Sequence, residues 1–392
     1  MPNAVIVDAV RTPGGRRNGK LSGWHPADLA AETLKALAER NDLDPAVVDD
    51  VVMGCVMQVG DQALNIGRNA VLAAGWPEAV PATTVDRQCG SSQQALHFVA
   101  QGVMAGAYDV AVAAGVECMT RVPMGASIGT GVGFPFGPAV RARYEPAGGL
   151  VPQGISAEMI ADQWELSRED LDAFGARSQQ LAVQATEEGR FEREIIPIAL
   201  KDADGSPTGE TLSTDEGLRP GTTAETLAGL KPAFKQDGKV TAGNSSQITD
   251  GASAVLVMSE ERANELGLRP RARFVGFSVV GVDPVTMLTG PIPATSKVLE
   301  RTKMALHEID LVEINEAFAS VVLAWRKELQ PDMDRVNVNG GAIALGHPLG
   351  ASGTKLMATL LNELERTRGR YGLQTMCEGG GLANAVIIEV LS

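Results

Sequence analysis

The sequence has little of what marks nucleic-acid-binding, secreted or membrane-spanning proteins. Its 392 residues contain 34 Lys and Arg against 48 Asp and Glu, which gives a formal net charge of −14. Because nucleic acids require a basic surface, we expect no nucleic-acid partner. No apolar run approaches the roughly 18 residues of a membrane span, and the first residues lack the pattern of a signal peptide. We therefore expect a cytoplasmic protein without membrane insertion.

Cysteine is also scarce. The chain contains four cysteines, which lie far apart: Cys55, Cys89, Cys118 and Cys377. In a chain of this length such spacing does not indicate a disulfide framework. Histidine is equally rare, with four residues. Thiol and imidazole side chains are therefore few.

Glycine, in contrast, is abundant at 44 residues, and strand-like runs alternate with helix-like segments. This alternation predicts α/β architecture in two similar halves, each with a mostly parallel sheet flanked by helices. A helix is expected over Glu316–Leu329. Residues 121–243 break the pattern, and we expect them to form a loop-rich insertion. The predicted domains are residues 1–120 with 244–270, residues 121–243, and residues 271–392.

Cys89 lies where an apolar stretch ends and a predicted helix begins, in Asp86-Arg87-Gln88-Cys89-Gly90-Ser91. This pattern places the cysteine in the first helical turn. A helix N-terminus favours the thiolate, which is the nucleophilic form. Free cysteines are, however, usually buried and inert, so position alone leaves both interpretations open.

Three further residues occur in suggestive surroundings. His347 lies in a segment with glycines on both sides, Cys377 precedes three glycines, and Asn315 follows a predicted strand. A histidine can act as base for a thiol, and backbone N–H groups of consecutive glycines can bind an oxyanion. The alternatives are a histidine wedged in a tight turn, an asparagine that caps a helix, and a zinc site. Zinc would use Cys89, His347 and Cys377, but a close cysteine pair and a fourth ligand are absent.

Taken together, these segments resemble the thiolase family along essentially the whole chain. The resemblance rests on motifs in matching order: Asp86-Arg87-Gln88-Cys89-Gly90-Ser91, Thr241-Ala242-Gly243-Asn244-Ser245-Ser246 with Asp250-Gly251-Ala252, Asn315-Glu316-Ala317-Phe318, Asn339-Gly340-Gly341 through Gly346-His347-Pro348 to Ser352-Gly353, and Cys377 with Gly379 and Gly380.

The resemblance implies a fold of duplicated α/β halves, each a mixed sheet flanked by helices, with a loop domain. It implies reversible conversion of a 3-ketoacyl-CoA and CoA into acetyl-CoA and a shortened acyl-CoA. Cys89 would carry the acyl group as a thioester, with His347 as its base. His347 and a water held by Asn315 would stabilise the enolate oxygen, and Cys377 would carry the α-proton. The backbone N–H groups of Cys89 and Gly379 would form an oxyanion hole.

The same resemblance implies coenzyme A as a substrate, no permanently bound cofactor and no metal. CoA would bind the loop domain, with Ser246 near the pantetheine, Arg219 near the nucleotide and Phe318 lining the acyl pocket. An exposed arginine is often only solvated, and Phe318 could equally be a core aromatic. The family implies a homodimer or homotetramer.

One segment departs from the family pattern. Many short-chain thiolases have His-Met-Gly in the loop domain, whereas this chain has Val151-Pro152-Gln153-Gly154. We therefore hypothesise that the chain acts on bulky or branched acyl-CoAs, including those of sterol side-chain breakdown. Two other functions stay open as alternatives: a β-ketoacyl synthase-like condensing enzyme, and a non-catalytic lipid-binding or scaffold relative.

Overall fold

The computed structural model describes residues 2–128, 131 and 133–391. The strands in chain order are β1 (Ala4–Arg11), β2 (Gly15–Arg16), β3 (Asp50–Gly54), β4 (Ala82–Val85), β5 (Val110–Cys118), β6 (Ile198–Lys201), β7 (Pro207–Leu212), β8 (Thr249–Ser259), β9 (Ala272–Gly281), β10 (Leu311–Ile314), β11 (Tyr371–Glu378) and β12 (Leu382–Val390). The helices are α1 (Pro26–Arg40), α2 (Ile66–Ala73), α3 (Ser91–Met104), α4 (Pro138–Tyr144), α5 (Gln153–Gln163), α6 (Arg168–Glu187), α7 (Ala224–Ala228), α8 (Glu260–Glu265), α9 (Pro291–Thr302), α10 (Ala319–Leu329), α11 (Ala342–Leu345) and α12 (Ser352–Thr367).

The main sheet repeats one topology in two halves. In the first half the order is β4-β3-β5-β8-β1, and in the second it is β10-β11-β12-β9. In the first half β4, β3 and β5 are parallel, and β8 is antiparallel to β5. In the second half β10 and β11 are parallel, and β12 is antiparallel to β11. A short ladder between β1 and β9 joins the halves. The duplicated halves are thus confirmed, and each half is mixed, as the family resemblance implies. Only the expectation of a mostly parallel sheet, drawn from the alternation of strands and helices, was wrong.

Helices α3 and α12 occupy equivalent places in the two halves and pack against each other in the interior. Apolar side chains of both helices share one core with both half-sheets, including Val99, Val103, Met357 and Leu361. The helices approach closely, because a side chain at Gly353 would collide with the backbone of Gln93. Separate cores cover the outer faces of the sheet. This layering brings the starts of two interior helices to the same place.

Helix α10 begins at Ala319 rather than at Glu316, so the sequence prediction was wrong in its first turn. The preceding residues are extended because they pair with another segment. Ser246 N donates to Ala317 O over 2.9 Å, and Ser245 forms an isolated bridge with Phe318. Periodicity within one segment cannot reveal such pairing with a distant segment.

Residues 121–243 contain more regular structure than the glycine and proline content predicts. Within their described part lie helices α4 to α7 and the hairpin of β6 and β7. Helix α6 begins with a capping box, in which the side chains of Ser167 and Asp170 accept from each other's backbone N–H groups. Among all described residues, no helix combines the length and apolar character needed to cross a bilayer.

Candidate active site

The predicted catalytic residues lie on segments that converge where the two halves meet. Cys89 precedes α3, His347 precedes α12, Asn315 follows β10, and Cys377 lies near the end of β11. Because β10 and β11 are parallel neighbours, the residues at their carboxyl ends are adjacent. Asn315 N accordingly donates to Thr375 O over 3.1 Å. The fold therefore supplies one thiol from the first half and an amide, an imidazole and a second thiol from the second half.

Cys89 lies on a tight turn just before the helix, not within its first turn as expected. Gly90 is the N-cap residue and α3 begins at Ser91. Gln88 has a φ of 49°, which is uncommon for a residue with a side chain. The turn is closed by Ser91, whose hydroxyl accepts from Arg87 N over 2.9 Å and donates to Gln88 O over 2.6 Å. The cysteine side chain is 5% exposed.

Cys89 is a neutral thiol at rest. Burial, followed by the charge of Glu378, raises the pKa of this thiol to about 12. Three nearby donors act in the opposite direction and lower this pKa: the backbone N–H groups of Cys89 and Gly379 and the side-chain amide of Gln153. Burial outweighs the helix N-terminus, which by itself favours the thiolate. A base is needed to remove the proton.

His347 is buried and fixed by hydrogen bonds on both ring nitrogens. Nδ1 lies 2.5 Å from Ser352 Oγ, and Nε2 lies 3.4 Å from Asn315 Nδ2. Because the Ser352 hydroxyl donates to Pro348 O over 2.9 Å, its oxygen is left to accept from Nδ1–H. Nε2 then carries the lone pair. Burial, and to a smaller degree the charge of Lys355, lowers the pKa of His347 to about 3, so the imidazole is neutral at physiological pH.

The backbone around His347 is held from two sides. Lys355 Nζ donates to Leu345 O over 2.6 Å and to Gly346 O over 2.9 Å. On the other side, His347 N donates to Thr249 Oγ1 over 3.0 Å. Gly346 has a φ of +81° and lies so close to Thr249 that a side chain would collide with it. The imidazole is therefore positioned by strand β8 and helix α12 together.

Cys377 and Gly379 complete the cluster behind the nucleophile. Cys377 is fully buried, and burial and the neighbouring Cys89 sulfur raise the pKa of its thiol well above the usual value. Gly379 permits close approach, because a Cβ there would lie 3.0 Å from Gln88 Oε1 and 3.1 Å from Gln153 Nε2. Its backbone N–H lowers the pKa of Cys89. The four cysteines are all free and buried.

A cavity of about 520 Å³ opens onto Cys89 and His347. Its walls are mainly apolar and include Met119, Met124, Ala233, Phe234, Ile248, Ala317, Phe318 and Leu349. Three arginines line it as well: Arg16, Arg17 and Arg219. Of the predicted CoA contacts, Arg219, Ser246 and Phe318 all line this cavity. Phe318 also packs in the core and meets Phe234 edge to face, so it belongs to both the cavity wall and the core. Asn315 lines a smaller internal cavity instead.

Sequence reasoning did not identify Gln153 and Ser352 as parts of the site. Gln153 lines the cavity, and its side chain lowers the pKa of Cys89. Ser352 bonds the imidazole. A signal existed for each: Gln153 lies within the segment that departs from the family pattern, and Ser352 lies within a matching motif. Across residues 2–128, 131 and 133–391, no three His, Cys, Asp or Glu side chains converge as metal ligands would.

Comparison with known proteins agrees with this geometry over the whole chain. The model of the thiolase N-terminal domain matches residues 4–261, and that of the thiolase C-terminal domain matches residues 268–390. The steroid 3-ketoacyl-CoA thiolase FadA6 of Mycobacterium tuberculosis is 51% identical, with 100% of this chain and 95% of the relative covered. A 3-ketoacyl-CoA thiolase of Aliivibrio fischeri is 47% identical, with 99% of this chain and 100% of the relative covered.

A solved structure supports the same assignment. The crystal structure of the Bacillus anthracis acetyl-CoA acetyltransferase superposes with a TM-score of 0.89 at 42% sequence identity, and the match covers 100% of this chain and 99% of that one. Both family models, the full-length relatives and the fold agree. The chain belongs to the thiolase family.

Proposed function

We propose that this chain is a thiolase that cleaves 3-ketoacyl-CoAs through a thioester on Cys89, and that its preferred acyl groups are larger than that of acetoacetyl-CoA. One observation carries the first part. A neutral thiol and a neutral imidazole open onto one cavity, and the backbone N–H groups of Cys89 and Gly379 lower the pKa of that thiol. This arrangement suits a thiol that is deprotonated only when it attacks a carbonyl.

In the first half-reaction, Cys89 transfers its proton to His347 Nε2 and its sulfur attacks the 3-keto carbon. The N–H groups of Cys89 and Gly379 stabilise the resulting oxyanion. The C2–C3 bond then breaks and leaves the enolate of acetyl-CoA. The protonated imidazole and a water on Asn315 stabilise its oxygen, and the Cys377 thiol protonates C2.

In the second half-reaction, the Cys377 thiolate accepts the proton of an incoming CoA thiol. The CoA sulfur attacks the thioester on Cys89, and the same two N–H groups stabilise the second oxyanion. Cys89 leaves and recovers its proton from His347. Both thiols and the imidazole thereby return to their starting protonation states, and the sequence of steps is reversible.

Three observations support a preference for larger acyl groups. The cavity has apolar walls with methionine and phenylalanine side chains from several segments. Gln153 stands in the segment where many short-chain relatives carry His-Met-Gly. The relative that is 51% identical is named a steroid 3-ketoacyl-CoA thiolase. We therefore extend to this chain the hypothesis of a bulky or branched acyl group.

CoA itself would be held where residues 121–243 meet the rest of the chain. Arg16, Arg17 and Arg219 bring local positive charge to the cavity of a chain whose net charge is −14. Such cations can pair with the phosphates of CoA. Ser246 and Phe318 would contact the pantetheine and acyl parts. The division into three domains, the cytoplasmic location and the homodimer or homotetramer remain predictions.

Two measurements test the proposal. Intact mass after mixing with a 3-ketoacyl-CoA should show an acyl adduct on the native chain and none on Cys89→Ala. Thiolysis rates should then be compared for acetoacetyl-CoA and for long-chain, branched and ring-bearing 3-ketoacyl-CoAs. An absent adduct would contradict the cysteine mechanism. A strong preference for acetoacetyl-CoA would contradict the bulky acyl group while leaving the mechanism intact.

A further inference from the structure

Glu378 lies between two residues of the site, Cys377 and Gly379, yet the reaction described above does not use it. Its side chain is completely buried, and neither carboxyl oxygen has a hydrogen-bond partner among the described residues. The carboxyl lies against the backbone of Gly90, because a side chain at Gly90 would collide with Glu378 Oε1. Gly90 directly follows the nucleophile. A buried carboxyl without hydrogen bonds, packed beneath the nucleophile, requires an explanation.

The surroundings of Glu378 do not stabilise a negative charge. On the neighbouring strand, Asn384 directs its amide to Gly90 O over 3.1 Å. Arg87 is the cation that acts on Glu378, but its Nε is buried without a partner, and neither carboxyl oxygen of Glu378 accepts a hydrogen bond from it. Asp86 adds repulsion from the same loop. A carboxylate buried without donors is strongly disfavoured, so the group is present as the neutral acid.

Glu378 in turn affects the acidity of the two thiols. A charge on Glu378 raises the pKa of Cys89, and it is the largest contribution after burial. It also raises the pKa of Cys377. In the neutral form this repulsion is absent, whereas a carboxylate would put a second negative charge beside a sulfur that must become anionic during attack.

We propose that Glu378 is a positioning residue for the two thiols, and that its carboxyl must be neutral for Cys89 to ionise. This inference rests on the proposed role of Cys89 as nucleophile. During attack the proton of Cys89 passes to His347, and Glu378 keeps its own proton. As the pH rises, Glu378 loses that proton to solvent and opposes ionisation of the neighbouring sulfur. Burial raises the pKa of Glu378 well above its usual value, in the direction that favours the neutral form.

The test measures the acidity of Cys89 directly, without any acyl-CoA. The rate at which iodoacetamide alkylates Cys89 would be followed by peptide mass spectrometry between about pH 6 and about pH 10, in the native chain and in Glu378→Gln. Glutamine has the shape of glutamate and stays neutral. We expect equal rates at the acidic end and a rate about ten-fold higher in Glu378→Gln at the alkaline end. Superimposable profiles would overturn the proposal.

Two further variants keep the test decisive. Glu378→Asp retains a titratable carboxyl and should follow the native profile. Glu378→Ala also removes the carboxyl; it replaces Glu378→Gln if that variant folds poorly, and it should show the same higher rate than the native chain at the alkaline end. Glu389→Gln makes the same chemical change on the neighbouring strand, in a carboxylate paired with Arg273 and Arg370, and should leave the profile unchanged. An Asp variant that matched Gln would overturn the proposal. The proposed function would fail separately, through the absence of an acyl adduct on Cys89.

Discussion

Replacement of Ser352 by alanine should weaken catalysis while leaving substrate affinity nearly unchanged. Ser352 Oγ is the partner of His347 Nδ1 at 2.5 Å, and no other hydrogen bond to Nδ1 is present among the described residues. Ser352→Ala leaves this N–H buried and unpaired. The imidazole then loses the bond that fixes its tautomer and orientation, so Nε2 is no longer held ready to accept the proton of Cys89.

The size of the effect follows from the hydrogen bonds that are lost. A buried donor without a partner costs about 1–3 kcal/mol, which corresponds to about a 5- to 150-fold lower rate if the bond is fully used in the transition state. The fold should tolerate the change. Pro348 O loses the Ser352 hydroxyl but keeps a bond from Ala351 N at 2.9 Å. Because Ser352 does not line the substrate cavity, KM should change by less than about two-fold.

The assay is steady-state thiolysis, combined with the rate of acyl-adduct formation on Cys89. Both kcat and the acylation rate should fall together. The matched control is Ser296→Ala, which removes a hydroxyl bonded to the carbonyl four residues earlier on the exposed face of α9, and which should change neither rate. A kcat within about two-fold of the native value, with the fold intact, would refute the assigned role of the serine.

Two further predictions concern pH and stability. Because the pKa of His347 is lowered to about 3, kcat/KM should show no acid limb near pH 6.5 and should fall only as the pH approaches that lowered pKa; a pH–rate profile with an inflection near 6.5 would contradict this. Arg11→Met should lower the free energy of unfolding by about 3–5 kcal/mol, because it leaves Glu194 and Asp215 buried without their cation. Urea unfolding measures the loss, and Arg262→Met, at an exposed ion pair, should change the free energy by less than about 0.5 kcal/mol.

Local sequence patterns were sufficient to predict most elements of the fold and the duplication. They failed where pairing between distant segments decides the conformation. Residues before Ala319 are extended because residues 244–246 pair with them. Strand β8 pairs with β5, and β12 pairs with β11, both in the antiparallel direction. Neither feature has a signature within its own segment, because strand direction depends on the neighbour.

For the site, the types of reactive residue were predictable but their ionisation was not. A cysteine before a helix indicates activation by the helix N-terminus, and the backbone N–H of Cys89 does lower the pKa of the thiol. The sequence does not show how deeply the sulfur is buried or that Glu378 packs beside it. Burial alone outweighs the N–H groups, so the pKa of Cys89 is raised where the position before a helix predicts that it is lowered. The fixed tautomer of His347 likewise depends on a contact made only when α12 folds back.

The neutral resting state has a chemical consequence for a site with two thiols. If Cys89 and Cys377 were both thiolates in one buried pocket, their charges would repel strongly, since the dielectric there is low. Burial raises the pKa of both thiols, so the pocket holds no net charge until substrate arrives. Each proton then moves only when a carbonyl or an α-carbon is in position to use it. The same burial that makes Cys89 a poor free nucleophile therefore lets one small pocket hold both the nucleophile and the proton carrier.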